Sequence, residues 1–277
     1  MGVERLSRDG VPAVPGLAAD GSNSIHNKAE GSGSHYIKPQ FSDVLQLHLR
    51  KLHNKMRLSV VLFLVASSAV LAGSVFLKTL VFPDESNNSY VEMVPQKPLN
   101  LGAFTLCMRV ATELPNMERE IILFAYRTQD FDELNVWQEL DGRYSFYLSG
   151  DGVMFKAPKL GPTETHMCVT WDSSSGAAAI FMDGRKSVTK MYRKGHRIRS
   201  GGKVIIGQDP DDYLGSFEAK QSFVGSISDV NMWDSVLSDS TIQDMNSGKR
   251  VPRGNVFDWE SVELKVNGGA EVVNSEN

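Results

Sequence analysis

Residues 209–221 read DPDDYLGSFEAKQ and hold the most distinctive chemistry in the chain. Asp209, Asp211, Asp212 and Glu218 put four carboxylates within ten residues, with Gln221 close behind. Like charges at that density repel unless water or a cation lies among them. Calcium takes about six to eight hard oxygens from carboxylates, amides and backbone carbonyls. Pro210 lacks an N–H but offers a carbonyl, and Gly215 allows a tight bend. Two readings stand at this level, a calcium loop and a solvated acidic surface loop. A second acidic stretch, Gln129-Asp130-Phe131-Asp132-Glu133, lies earlier.

The other reactive residue types are Cys and His. Cys168 lies in His166-Met167-Cys168-Val169-Thr170-Trp171-Asp172-Ser173, a β-strand pattern whose Cys and Trp can face one core. Cys107 is in a second strand-like run, 103–110. These are the only two cysteines, so any internal disulfide joins them. A bonded Cys168 offers no thiolate, which leaves His166 as a packed structural residue rather than half of a Cys/His nucleophile. His196 sits in the basic run Arg193–Arg199, read as a solvated face. No zinc-type Cys/His spacing, P-loop, G-x-S-x-G or G-x-G-x-x-G stands in a strand–helix context. A glycoside hydrolase needs two carboxylates flanking a cleft. Asp130, Asp132 and Glu133 could mimic such a group, but the acidic residues suit a metal better.

These residues must be held by a fold, and the composition bounds it. The 277 residues make one large domain or two small ones. A net charge of −4, with both signs dispersed, argues against nucleic-acid binding through phosphate contacts. Leu58–Leu77 carries no charge and is preceded by Arg50, Lys51, Lys55 and Arg57. It is long enough for a membrane span. Read from Met56, it also has the basic start, apolar stretch and small-residue exit of a signal peptide, 56–72, cleaved after Ala72. The competing reading is a type II signal anchor over 58–77. Residues 1–55 read as a disordered N-terminal extension. Either leader places the rest of the chain in an oxidising compartment, where Cys107 and Cys168 would form a disulfide. Asn87-Asn88-Ser89 is an N-glycosylation sequon, used or unused.

From residue 79 the pattern is of many short strands. Runs at 121–126, 134–137, 144–148, 177–182, 204–207, 222–227 and 229–233 alternate or are continuously apolar. Asp141-Gly142, Gly150-Asp151-Gly152 and Asp183-Gly184 punctuate them as turns. One short helix is predicted near 239–246, with Ser238 as N-cap, Ile242 and Met245 as its apolar pair and Gly248 as its stop. Strands at this spacing with Gly-rich turns imply a two-sheet sandwich.

The segment H-x-C-x-[ST]-W-x-[ST] at 166–173 resembles the signature of the pentraxins. The resemblance extends through Phe82-Pro83-Asp84-Glu85-Ser86, Gly207-Gln208-Asp209-Pro210-Asp211, Gln221-Ser222-Phe223-Val224-Gly225, Asn231-Met232-Trp233-Asp234 and Asn255-Val256-Phe257-Asp258-Trp259. It covers residues 79–273, and removing 1–72 leaves 205 residues, about one protomer of that family. It implies an all-β, two-sheet antiparallel jelly-roll of the concanavalin/laminin-G type with one short helix. It also implies two calcium ions per protomer, held by Asp209, Pro210, Asp211, Glu218, Gln221 and an earlier acidic pair. That pair is Asp-Asn in the family. Here Asp132 falls at the Asn position and Phe131 at the Asp position, so a bulge would be needed to bring in Asp130. Asp209 stands where the family has a longer Glu. Trp137 falls at the position that packs the methyl groups of choline, or is an ordinary strand aromatic. Gly152 falls where a carboxylate faces the ammonium, with Asp151 next to it. The implied function is that of a secreted, non-enzymatic pattern-recognition protein of innate immunity. It would assemble as a homopentamer, bind phosphocholine- or phosphoethanolamine-like or acidic surface ligands, and meet complement and Fc-receptor components. A membrane-tethered form would act in cell-surface adhesion.

Overall fold

A computed structural model describes residues 41–69, 76–114 and 119–276. The chain divides into two compact units, Met1–Ala72 and Gly73–Asn277. In the first, helix α1 spans Phe41–Ala69. Residues 41–55, expected within a disordered extension, therefore lie in a helix. The stretch holds four Leu and two Lys, with one Arg and one Gln, all strong helix formers. Residues 1–40 lie outside the described residues. So do residues 70–75 of the apolar run, whose last two residues open the first strand of the second unit. Among the described residues no helix is long and apolar enough to cross a membrane.

The second unit is built of short strands. In chain order they begin with β1 (Phe76–Phe82), β2 (Tyr90–Val94), β3 (Ala103–Ala111), β4 (Ile121–Arg127) and β5 (Asp132–Gln138). Then come β6 (Tyr144–Leu148), β7 (Asp151–Phe155), β8 (Thr165–Asp172), β9 (Ala177–Met182) and β10 (Arg185–Lys186). The last are β11 (Lys190–Met191), β12 (Lys203–Ile206), β13 (Gly225–Trp233), β14 (Glu263–Asn267) and β15 (Glu271–Glu276), with helix α2 (Asp239–Asn246) after β13. One sheet runs β10-β9-β8-β3-β13-β1-β15, with β11 also on β9; the other runs β14-β2-β12-β4-β5-β6-β7. Every pairing within them is antiparallel. The result is the predicted all-β sandwich.

Side chains alternate across each strand, so one set from each sheet fills the space between them. Phe104, Phe146, Phe155, Trp171 and Phe257 are among the residues fully buried there. The Trp171 indole N–H donates to the Tyr192 carbonyl at 2.9 Å, so its one polar atom is satisfied. Cys168 does not share this core. It lies three residues from Trp171, an odd spacing that turns it to the opposite face of β8. There it packs with Phe181, Trp233, Ile242 and Met245 beneath α2. Cys107 and Cys168 are register partners on β3 and β8 and are joined by a disulfide. The α2 cap is as predicted, with Ser238 Oγ accepting from the Thr241 N–H at 3.1 Å.

The runs at 222–227 and 229–233 are one strand rather than two. A register shift between Ser228 and Asn231 interrupts β13, and Asp229 there has φ +52°. Such a bulge breaks alternation and makes one strand read as two. Residues 222–224 precede the strand. Strand β1 was hidden because its start merges with the apolar leader, and β14 and β15 because they are polar and largely exposed.

The disulfide closes a loop with a sequence separation of 61. Replacing both cysteines by alanine is expected to lower the unfolding free energy by about 4 kcal/mol, from the loop-closure entropy the unfolded chain regains. Urea denaturation under oxidising conditions measures it. A loss below about 1 kcal/mol would mean that the sheet and α2 hold the pair of strands without the cross-link.

Candidate metal centre

The acidic residues meet on the outer face of the second sheet. Along β5, Leu134 and Val136 point into the core, whereas Asn135 and Trp137 point outward. Asn135 pairs in register with Tyr147, and Tyr147 with Gly152, so these three share that face. The loop that crosses it leaves β12 through Gly207, whose φ is +97°. A Cβ on Gly207 would stand 2.2 Å from Cε1 of Phe82, so the backbone passes where no side chain fits. The Gln208 amide then donates to the carbonyls of Ser86 and Ser89 and pins the loop as it enters the face.

Asp209 follows and is only 7 % exposed. Its Oδ1 accepts from Asn135 Nδ2 at 2.8 Å. Burial, and then the charges of Asp132 and Asp211, raise its carboxyl from 3.8 to about 7, against the pull of Arg127. Asp211, at the exposed edge of the group, is raised as well, by partial loss of water around it and then by the charges of Glu218 and Asp132. These four carboxylates therefore act on one another electrostatically. A short 3₁₀ turn, Ala219–Gln221, carries the chain from Glu218 to Gln221. It is held from outside by Arg119, which donates to the carbonyls of Ala219 at 3.0 Å, Lys220 at 2.8 Å and Ser222 at 2.8 Å.

Asn135 Oδ1 on the strand and Gln208 Oε1 and Gln221 Oε1 at the two ends of the loop are buried and accept no hydrogen bond. Such an atom loses its water without compensation unless a donor or a cation meets it. Hard oxygens without donors, beside carboxylates that repel one another, fit a calcium shell. Among the described residues, the one trio of His, Cys, Asp or Glu with ligand atoms within 4.8 Å of each other is Cys107, His166 and Cys168. Two of those are disulfide-bonded, so that trio holds no metal. The acidic group is more widely spread and would need its amide and backbone oxygens to complete a shell.

The predicted site residues divide accordingly. Asp132, Asp209, Asp211 and Glu218 come together, with Pro210 buried between Asp209 and Asp211 and Gln221 at the loop's end. Asp130 is exposed, and the electrostatic group forms without it. Asp212 turns back into its own loop, accepting from Ser216 Oγ at 2.7 Å. Trp137 packs with Ile122, Ala125 and Ile205 beside Tyr147 and Phe217, and only 8 % of it is exposed. Asp151 does not join it. Strand phase puts Asp151 on the other side from Gly152, and its carboxylate lies 3.7 Å from Arg193 Nε. Gly152 itself leaves room for a ring. A Cβ there would sit 2.6 Å from Tyr147 Cε1, and the Tyr147 hydroxyl donates to Glu139 at 3.3 Å. Asn87 is exposed. Asn135, Arg119 and Arg127 escaped the sequence reading because none lies in an acidic run. Strand alternation from Trp137 would have placed Asn135 on the same face.

Other chemistry finds no support in the geometry. His166 is buried with Nε2 3.6 Å from the disulfide-bonded Cys168 Sγ, and burial with the Arg109 charge lowers it to about 4. Asp132 is paired with Arg127, and Glu133, whose side chain is fully buried, with Arg199 at 2.9 Å. Carboxylates so neutralised make no acid–base pair for glycoside hydrolysis.

A profile of the Pentaxin family matches residues 78–274. The chain is 55 % identical over 199 residues to a C-reactive protein of Danio rerio, covering 70 % of this chain and 88 % of that protein. It is 36 % identical over 192 residues to the serum amyloid P-component of Rattus norvegicus, covering 69 % and 82 %. The fold also resembles a native heptameric SAP-like pentraxin from Limulus polyphemus. There the TM-score is 0.63 and the identity 24 %, over 71 % of this chain and 94 % of that one.

Asp209 makes the cation-free protein sensitive to pH in a definite direction. The folded carboxyl keeps its proton up to about pH 7, whereas 3.8 is its ordinary value. Between those values the folded state binds more protons than the unfolded state, so stability falls as pH rises. The full gap corresponds to about 4 kcal/mol above pH 7. In chelator at pH 8, Asp209→Asn is expected to stabilise the protein by about 2–4 kcal/mol and to flatten its stability between pH 4 and 7. Thermal melts across that range check it. An unchanged or lower melting temperature for the variant at pH 8 would show that Asp209 carries no such penalty.

Proposed function

This chain belongs to the pentraxin family, and on that premise we propose that it is a secreted, calcium-dependent recognition protein for ligands carrying phosphate or other acidic groups. A pentraxin is a recognition protein and not an enzyme. The observation that carries the reading is the buried Asp209 carboxylate. It lies among Asp132, Asp211 and Glu218, with the oxygens of Asn135 and Gln221 left without donors. A calcium ion bound there would supply the positive charge that phosphate oxygens seek. Asp209, Asp211, Glu218, Gln221, Asn135 and the Pro210 carbonyl are the groups that would hold it. Asp211 and Glu218 are exposed, so the site opens to solvent on the side where a surface-borne ligand would approach.

Selectivity among zwitterionic phosphates rests on what lies beyond the phosphate. Asp151 pairs with Arg193, and Tyr147 fills the space above Gly152, so neither position offers a free carboxylate to an ammonium. Trp137 presents little surface. The reading is therefore of phosphate recognition with weak discrimination between choline and ethanolamine. A homopentamer would present copies of such a weak site together and gain by multivalency. Contacts with complement and Fc-receptor components would follow from membership of the family. Cleavage after Ala72 would release the second unit, and retention of 58–77 would give a tethered adhesion form instead.

Titration calorimetry on the expressed protein tests this. Calcium uptake is expected, followed by binding of phosphocholine and phosphoethanolamine with affinities within about tenfold of each other, both lost on chelation. Glu218→Gln is expected to weaken calcium binding at least tenfold, about 1.4 kcal/mol. Edman sequencing of protein collected from the medium is expected to begin at Gly73. If no calcium is taken up, residues 209–221 are a solvated acidic surface and the recognition reading fails.

A further inference from the structure

One cation is already built into the acidic group. Arg127 is the last residue of β4 and lies two residues beyond Ala125, on the same outer face. In register it pairs with Asp132 on β5. The alignment that creates this pair is a bulge. Tyr126 pairs with Leu134 and Arg127 with Asp132, so Glu133 is an extra residue on β5. Glu133 turns away to Arg199, and Asp132 is brought to Arg127, whose Nη1 donates to Asp132 Oδ1. The Arg127 side chain is 15 % exposed, and its Nε is buried without an acceptor. Its charge reaches Asp209 and Asp211 as well as Asp132. A guanidinium cannot give up its proton to make way for another cation.

We propose that Arg127 is a permanent counter-cation of this group, standing in for one of the two ions the family resemblance implies, so that a protomer holds one calcium ion. The proposal rests on the calcium reading of the site. Asp132 is the one carboxylate of the earlier acidic stretch that reaches the group, and it is committed to Arg127. An ion placed between Asp132 and Asp209 would face the guanidinium's charge at short range. Asp209, Asp211, Glu218, Gln221, Asn135 and the Pro210 carbonyl remain, enough for one shell of about six oxygens. Arg127 also accounts for how the carboxylates can stand together without a bound metal. It offsets part of their repulsion and leaves the amide oxygens of Asn135 and Gln221 without a donor.

The test is calorimetric calcium titration of the full chain as wild type, Arg127→Gln and Arg127→Lys, with melting curves of each in chelator. One ion per protomer is expected for the wild type and for Arg127→Lys, which keeps the charge. Arg127→Gln is expected to take up a second ion, and to melt several degrees lower in chelator with recovery in calcium. Two ions on the wild type overturn the proposal, and that result needs no variant to fold. So does an Arg127→Gln protein with unchanged stoichiometry and an unchanged melting temperature. If neither protein binds calcium, the underlying reading of the site fails, and the chelator melts alone decide the role of Arg127. A loss with Gln that Lys restores upholds the counter-cation, and equal melting temperatures reject it.

Discussion

A carboxylate can be taken out of water only if donors or positive charge go with it. Asp209 makes that demand at the centre of the second sheet's outer face, and most of the local architecture answers it. The Asn135 amide supplies a donor and Arg127 a diffuse charge. The compensation is incomplete, which is why the carboxyl is raised rather than lowered. Completing it takes a cation, and the loop is built so that one can be met. Gly207 lets the chain cross Phe82, Gln208 fixes the entry, and Arg119 fixes the exit by binding the carbonyls of Ala219, Lys220 and Ser222. A loop held at both ends loses little further freedom when its ligands close on an ion.

The burden of that unsatisfied charge falls on a scaffold able to carry it. The two sheets enclose a continuous aromatic and aliphatic core, and the first sheet has a second layer outside, α2 seated over the disulfide. Thr105 and His166, polar groups buried on that face, lie beside the cross-link, and Thr105 bonds the backbone that leads into α2. The two outer faces thus have different duties. One is covered and cross-linked, and the other carries the destabilising acidic group, as is common where function needs a strained or charged site.

How much of this could be read from the sequence depended on whether a feature was local. The strands of the core, the cap of α2 and the carboxylates at 209, 211 and 218 are local patterns of residue type, and they were legible. Features that depend on strand phase or register were not. Cys168 and Trp171 look like neighbours in one core, yet an odd spacing sends them to opposite faces. Asp151 and Gly152 look interchangeable as ligand contacts, yet only position 152 faces Trp137 and Tyr147. The sequence calls for a bulge in the acidic stretch to bring in Asp130. The bulge exists, but it lies within β5, where it leaves Glu133 out of the ladder, buried against Arg199, and delivers Asp132 instead. Arg127 reads as an ordinary strand-end residue until that register places it against Asp132.

The same register explains why a basic residue can sit in a cation site without abolishing it. In a flexible acidic loop an arginine would fold over any carboxylate within reach, and the cluster would collapse onto it. Here Arg127 springs from a central strand, with β12 and β5 on either side. Its guanidinium is aimed along the face at Asp132, and Asp209 is held by its own amide partner, Asn135, on the neighbouring strand. The backbone ladder therefore keeps the built-in cation and the remaining donors apart. Charge balance in this group is set by sheet geometry as much as by residue type. A substitution that shifted the β4–β5 register by one residue would change its electrostatics even with every acidic residue left in place.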